Sequence, residues 1–349
     1  MGDEVLKKEF EGKNILITGG AGSIGSELIK HLLKYNPAVI RVLDINETGL
    51  FDLEQQCEGY EQKLRMLVGD IRDKERLSRA MKNIDYVFHA AALKHVYINE
   101  YTPSEAIKTN VIGTQNVIDA AIENDVKKVI TISTDKAVNP TSVMGTTKLL
   151  AEKLTSAAQY HRGSSQTTFA SVRFGNVLVS RGSVVPLFIE QIKKGGPVTV
   201  TDSRMTRFIM STERAIELIL KATSIARGSE IFILRMPAVK IHDLAEILVE
   251  HHSFKHGHSP ENIKIKLIGA KSGEKIHEHL LTDYEKQYAK LIDNDLIVLE
   301  PLIRARRGLE MYKNVDVDDN KMPEGSFNNS SDEKLLTKEE IKKLLDDVL

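Results

Sequence analysis

Cysteine is nearly absent. Cys57 is the only one in 349 residues, which excludes an internal disulfide framework and fits a reducing compartment. No uninterrupted apolar run approaches the roughly 20 residues that span a bilayer. The opening MGDEVLKKEFEGKN lacks the apolar core of a secretory signal. Met1-Gly2 makes no myristoylation signal either, because Leu6 stands where Ser or Thr is required. Net charge is missing as well: 48 Lys+Arg against 49 Asp+Glu leave −1, so no bulk field draws the chain to nucleic acid or anionic lipid. These absences leave the expectation of a cytoplasmic protein with no nucleic-acid and no membrane partner.

What is present is a regular alternation. Short β-branched runs at 14–18, 39–44, 64–70, 85–90, 127–133 and 167–174 are separated by helical patterns, among them 23–35, 103–124 and 142–160. Such alternation predicts an α/β fold with a doubly wound parallel sheet and a ligand crevice at the carboxyl ends of the strands. After Phe174 the pattern loosens into Gly-, Ser- and Thr-rich segments with a few further strands and helices. We therefore expect a dinucleotide-type domain over 1–175 with an interleaved 205–235, and a smaller lobe from 176–204 and 236–312. Residues 313–349 form a tail. Its polar 314–334 stretch reads as a long surface connection, and LTKEEIKKLLDDVL as a helix with a capping pair, Thr337 and Glu340. That helix carries an apolar stripe, which needs a partner surface in this subunit or in a neighbour.

ILITGGAGSIGSEL places Gly19, Gly22 and Gly25 between a strand and a helix, with Ser23 and Ile24 in the opening turn. In that context the glycines serve a tight turn, close backbone approach to a pyrophosphate, and helix-start amides that face it. The next strand ends at Asp44, 19 residues beyond Gly25, placed to accept from adenosine ribose hydroxyls. This favours NAD, although Arg41 on the same strand keeps a 2′-phosphate partner open. Asp70 and Ile71 end the third strand where an adenine edge would lie. Ala90 and Ala91 follow the fourth, equally readable as cofactor contacts or as tight packing under a helix.

STDKAVNPTSVMGTTK, residues 133–148, should begin at the carboxyl end of a strand. Thr134, Asp135 and Lys136 then overhang the crevice, and Met144 and Lys148 share one face of the following helix. A lysine there can hold a nicotinamide ribose and lower neighbouring pKa values. Met144 occupies the place of a catalytic tyrosine, and a thioether takes no proton at neutral pH. Asp135 and Lys136 are an acid–base pair in one turn, where charge and burial tune both.

The glycine loop, the STDKA turn and the helical lysine resemble the extended short-chain dehydrogenase/reductase superfamily. More narrowly, STDKAVNPTSVMGTTK, RFGNVLVSRGSVVPLF and TDSRMTRF are similar to the UDP-N-acetylglucosamine 4,6-dehydratases, over about residues 10–285. The branch with Met in the tyrosine place is part of that resemblance. It implies a Rossmann fold, NAD as cofactor, UDP-N-acetylglucosamine as partner and a homo-oligomer. The chemistry it implies is oxidation at C4, which acidifies C5–H, followed by loss of the C6 hydroxyl and hydride return to C6. Asp135 is then the acid at the C6 hydroxyl and Lys136 the base at C5. The C4 proton falls to Asp135 or to a water held by Thr134 and Lys148, with Met144 as an apolar wall. Retention at C5 is the favoured outcome and inversion the alternative.

The resemblance also implies sugar-nucleotide ligands. Asn176 and Arg181 reach sugar or phosphate, and Ser183 and Val184 offer backbone and an apolar shelf to uracil. Thr199 and Thr201 meet ribose or base edges, Arg207 the diphosphate, and Glu274 the nucleoside ribose. Lys94 and His95 are secondary candidates for the sugar. The histidines are scattered, and His277 and His279, two apart, do not face one metal from one side of a helix; we expect no metal. A 4-epimerase shares this fold and cofactor but keeps the tyrosine and needs no Asp–Lys pair. A cofactor-sensing binding protein is the non-enzymatic alternative, and Met144 alone speaks for it.

Overall fold

A computed structural model describes residues 3–300, 329–346 and 348. Its strands in chain order are β1 (Asn14–Thr18), β2 (Val39–Asp44), β3 (Leu64–Val68), β4 (Tyr86–His89), β5 (Lys128–Ile132), β6 (Thr168–Arg173) and β7 (Asn176–Val177). They continue as β8 (Val198–Val200), β9 (Thr206–Met210), β10 (Ile231–Leu234), β11 (Ala238–Lys240), β12 (Ile265–Leu267), β13 (Ala289–Asp293) and β14 (Leu296–Leu299). Nine of them form one sheet in the order β13-β14-β10-β6-β5-β4-β1-β2-β3. Pairing is parallel from β3 through β10, and β14 and β13 extend that edge antiparallel. The chain reverses from β1–β2–β3 to β4 across β1, so the crevice opens over the carboxyl ends of β1 and β4, as the doubly wound reading expects.

The central strands are buried along nearly their whole length because helices cover both faces. On one face the helices Ser23–Leu33 and Thr212–Ile225 bury Leu28, Leu32, Ile216 and Ile219 against Ile15, Ile17 and Phe232. On the other, Lys74–Met81 and Gly113–Glu123 bury Leu77, Val117 and Ala121 against Leu16, Val87 and Val129. Helix starts follow the expected chemistry. Asn46, Asp73, Ser142 and Ser211 each accept a backbone N–H two or three residues into the helix they open. The helix expected over 103–124 is interrupted by a π-helical turn at Ile107–Ile112. Its Asn110 side chain bonds both polar groups of Leu93 and the Thr147 hydroxyl, which fixes the segment after β4 beside the crevice.

A second core carries the lobe: Val185, Phe188 and Ile192 of helix Val184–Lys193 pack against Leu244 and Leu248 of helix Ile241–His252. Two small sheets, β11-β9-β7 and β12-β8, flank it. Two sequence expectations change here. Residues 289–299, placed by the sequence in the lobe, form a hairpin that joins the large sheet, because β14 pairs with β10. The terminal helix Lys338–Asp346 starts at the anticipated Thr337–Glu340 capping pair. Its stripe, Ile341 and Leu345, is buried in this chain's own lobe against helix Ile241–His252, so it needs no neighbouring subunit to cover it. The 314–328 part of the expected surface connection lies outside the described residues.

Candidate active site

The loop between β1 and helix Ser23–Leu33 is shaped by what a side chain would strike. A Cβ on Gly19, at φ +71°, would lie 2.5 Å from the Ala91 amide nitrogen, and one on Gly25 would lie 2.3 Å from the Gly19 carbonyl oxygen. Backbone fills the space at both positions, so the loop is drawn tight against the strand and the helix start is exposed above it. Gly19, Gly22, Ser23, Ile24, Gly25 and Ala90 line a cavity of about 490 Å³, with Thr134, Lys136, Met144 and Lys148 on its far side. Backbone amides at a helix start beside a glycine-rich loop fit a dinucleotide pyrophosphate.

The adenosine-side candidates lie at the neighbouring strand ends and do not wall this cavity. Asp44 Oδ2 accepts from the Ala21 amide at 3.0 Å and Oδ1 from the Asn46 amide, so the carboxylate braces the glycine loop. Asp70 is ion-paired with Arg72 at 2.6 Å. The Ile71 side chain is core, packed over Gly113: a Cβ on Gly113 would meet it at 2.6 Å. Ala91 packs beneath Gly19, the tight-packing alternative of its two sequence readings.

At the end of β5, Asp135 is fully buried. Its Oδ1 accepts from the Thr134 hydroxyl at 2.9 Å and from Lys136 Nζ at 3.0 Å. Burial raises the Asp135 pKa, Lys136 opposes that, and the charge of Glu278 adds to it. Lys136 responds in the opposite sense: burial alone would lower its pKa, but Asp135 and Glu278 together push it above the ordinary lysine value. Lys148 Nζ donates to the Ile132 carbonyl at 2.6 Å, and burial brings its pKa down to about 8. Met144 is buried one helical turn before it, on the same cavity wall. Beneath the floor, His89 bridges the Thr18 and Thr114 hydroxyls, and burial lowers its pKa to about 3, so it is neutral.

A second cavity of about 260 Å³ opens toward the lobe, lined by Val184, Thr199, Thr201, Arg207 and Glu274 among others. The two cavities share Lys136, Asn176, Gly182 and Ser183, so they meet at the strand-end turn. Near that meeting point Asp135 Oδ2, Ser183 Oγ and Glu278 Oε2 are buried and make no hydrogen bond. Buried polar atoms of a folded chain are nearly always satisfied; Ser183 lines both cavities and Glu278 the lobe cavity, so these two orphans border a place able to receive polar ligand groups.

Three expected ligands have their donors engaged within the protein. Arg207 is buried, and its guanidinium donates to the carbonyls of Thr206, Lys275 and Ile276. Its charge faces the lobe cavity, but its donors anchor the 275–278 segment. Arg181 donates to the Ala21 carbonyl, and its amide donates to Ser23 Oγ, which ties its loop across the glycine turn. Lys94 donates to the Arg181 carbonyl at 2.6 Å and braces the same strap. Glu274 stays on the cavity rim, with Oε2 accepting from the Lys271 amide. Sequence reasoning missed Glu278, whose Oε1 lies 3.5 Å from Lys136 Nζ and whose Oε2 lies 3.5 Å from Lys275 Nζ. It also missed Gly175, where a Cβ would strike Phe208 at 2.7 Å and crowd Asp135 Oδ2. No local pattern flags either residue, since Lys136 beside Glu278 and Phe208 beside Gly175 come from distant segments. Among the described residues, His242, Asp243 and Glu246 converge within 4.8 Å, but Glu246 is ion-paired with Lys338.

Comparison with known proteins is consistent with this geometry. Residues 15–300 match the family described as polysaccharide biosynthesis protein. An uncharacterized membrane protein of Methanocaldococcus jannaschii is 53% identical, over 97% of each chain. A UDP-N-acetylglucosamine 4,6-dehydratase (inverting) of Campylobacter jejuni is 45% identical, over 82% of this chain and 86% of its own. Among solved structures, Pen from Bacillus thuringiensis superposes with TM-score 0.89 at 42% identity, over 97% of this chain and 99% of that one. A dTDP-glucose 4,6-dehydratase from Streptomyces venezuelae, solved with NAD bound, gives TM-score 0.66 at 25% identity, over 75% and 86%. No helix among the described residues is long and apolar enough to cross a membrane.

Proposed function

The chain belongs to the polysaccharide biosynthesis protein family, and on that premise we propose that it is an NAD-dependent UDP-N-acetylglucosamine 4,6-dehydratase. The observation that carries the proposal is the Asp135–Lys136 pair at the junction of a glycine-lined cavity and a lobe cavity. The name of the Campylobacter relative supports the substrate and reaction, and the NAD in the Streptomyces structure supports the cofactor. Gly19, Gly22, Ser23, Ile24 and Gly25 would hold its pyrophosphate, and Lys148 its nicotinamide ribose. When bound, NAD supplies reversible hydride exchange with the sugar.

The remaining chemistry is proton movement, and the residues divide it. Asp135 is walled off from both cavities, whereas Thr134 lines the larger one and hydrogen-bonds to it. Asp135 therefore accepts the C4 hydroxyl proton through the Thr134 hydroxyl. Burial favours its neutral form, which suits it to give that proton next to the departing C6 hydroxyl. Lys136 lies at the cavity junction and serves C5. Met144 contributes an apolar wall and no proton, consistent with transfer of the tyrosine's duty to the Thr134–Asp135 pair. Arg181 and Lys94 close a strap over the glycine loop. Ser183, Val184, Thr199, Thr201, Arg207, Asn176 and Glu274 form the sugar-nucleotide side.

At C5, the sequence reading favours retention and the relative's name favours inversion. The test of the function is direct. The purified protein, supplied with NAD and UDP-N-acetylglucosamine, should yield a 4-keto-6-deoxy sugar nucleotide. A galacto-configured product would instead establish an epimerase, and an unaltered sugar a binding protein. Product NMR in heavy water reads the C5 configuration in the same sample.

A further inference from the structure

Glu278 is a buried carboxylate in a place where structure alone gives it little reason to be. It is 2% exposed, and its segment is anchored by backbone bonds with Ser330 and by Arg207, neither of which uses the carboxylate. Its two oxygens each face a lysine, Lys136 at 3.5 Å and Lys275 at 3.5 Å, and Oε2 accepts no hydrogen bond. Lys275 is already committed to the Val138 carbonyl at 2.6 Å. The charged groups facing Glu278 are Lys136 and Asp135 from the turn after β5, Arg207 from β9 and Lys275 from its own segment. His277, next in the chain, hydrogen-bonds to Thr206, and His279 is only partly exposed.

This arrangement bears on a difficulty in the proposed reaction. In the resting site Lys136 between two carboxylates is held as an ammonium ion, Glu278 still pairs with it once Asp135 is protonated, and an ammonium ion has no lone pair with which to take the C5 proton. Asp135 is not free to relieve it, because in the dehydratase reading it already carries the C4 proton when C5 is attacked. We propose that Glu278 is a positioning residue of the acid–base centre, holding the proton that Lys136 sheds before its amine accepts the one at C5. The inference rests on the dehydratase reading. The protons balance over one cycle. Lys136 passes a proton to Glu278, leaving an amine and a carboxylic acid. The amine takes the C5 proton as the C5–H bond breaks, and Asp135, through the Thr134 hydroxyl, protonates the C6 oxygen as the C6–O bond breaks, releasing water. After C6 is reduced, the Lys136 ammonium returns a proton to C5 and recovers its own from Glu278.

The test compares Glu278→Gln, which keeps the shape, and Glu278→Asp, which keeps the charge. In Glu278→Gln, 4-keto-6-deoxy product formation at pH 7 should fall about 100-fold. It should then climb tenfold per pH unit, as solvent takes over removal of the Lys136 proton, while wild type stays flat across that range. Glu278→Asp should restore the flat profile. Apart from turnover, competitive acetylation read by peptide mass spectrometry should show Lys136 becoming reactive at lower pH in Glu278→Gln, since one anionic neighbour is gone. A Glu278→Gln rate within threefold of wild type, a loss equal at every pH, or unchanged Lys136 reactivity would each overturn the proposal. If wild type makes no 4-keto product, the dehydratase reading fails instead, and the acetylation shift still reports whether Glu278 governs the Lys136 proton.

Discussion

The two halves of the site are made by different means. The glycine-loop side is a backbone device: Gly19 and Gly25 are required because main chain occupies the space of any Cβ, and few side chains matter. The junction is a side-chain device, in which Asp135, Lys136, Glu278 and Arg207 converge from the β5 turn, the 275–278 segment and β9. A backbone cradle is specified by residues adjacent in the sequence and tolerates almost no substitution. A charge cluster is specified by residues far apart, and its function depends on which proton each member holds. Binding and chemistry in this protein should therefore fail separately.

That separation can be broken or sharpened by substitution. The largest effect should come from Asp135→Asn, which removes the carboxylate that accepts from Thr134 and Lys136. Turnover should drop on the order of 10²- to 10⁴-fold, with cofactor retention, read from the absorbance ratio of the purified protein, unchanged. Gly25→Ala should do the reverse. Its Cβ meets the Gly19 carbonyl oxygen at 2.3 Å, so the loop must shift. Affinity for NAD, read by titration of the purified protein, should fall about 100-fold, and saturating NAD should restore most of the turnover. Loss of both properties in either variant would erase the distinction.

Smaller effects probe the support beneath both halves. Arg173 is fully buried between Glu152, one turn beyond Lys148, and Glu285 of the capping box Thr282–Glu285. Arg173→Met leaves two buried carboxylates without their cation and should lower unfolding stability by about 3–5 kcal/mol, measured by denaturant titration. Lys148 gives a pH signature. Its folded pKa, about 8, lies below the ordinary 10.5, so the unfolded chain binds more protons between those values. Stability of wild type relative to Lys148→Met should therefore rise from pH 8 to 10.5, by at most about 3 kcal/mol, and be level below pH 8. A flat difference would place Lys148 in a more polar setting than its burial implies.

How much of this was legible follows the same line. The glycine loop, β1 to β6, the Ser142-initiated helix and the Thr337–Glu340 cap were readable because each depends on neighbours within a few residues. Asp135 and Lys136 were found together because they are consecutive. Glu278 was hidden: its partner Lys136 precedes it by 142 positions, and in GEKIHEHL the histidines and Glu274 draw attention first. The β13–β14 hairpin is visible in Asn294-Asp295 between apolar runs, but nothing local says that β14 pairs with β10. For Arg181 and Lys94 the sequence predicts substrate contact, because a basic side chain near a phosphate site has no local sign of which phosphate it serves. The structure ties both to the strap over the glycine loop.

The central claim is that one site oxidises C4, removes water across C5 and C6, and returns the same hydrogen to C6. UDP-N-acetylglucosamine carrying deuterium at C4 tests it most directly, with the product read by NMR and mass spectrometry in ordinary water. The account predicts a 4-keto-6-deoxy product whose C6 methyl group carries that deuterium. Deuterium kept at C4 in a galacto-configured sugar, or a 4-keto product with no label at C6, would contradict it.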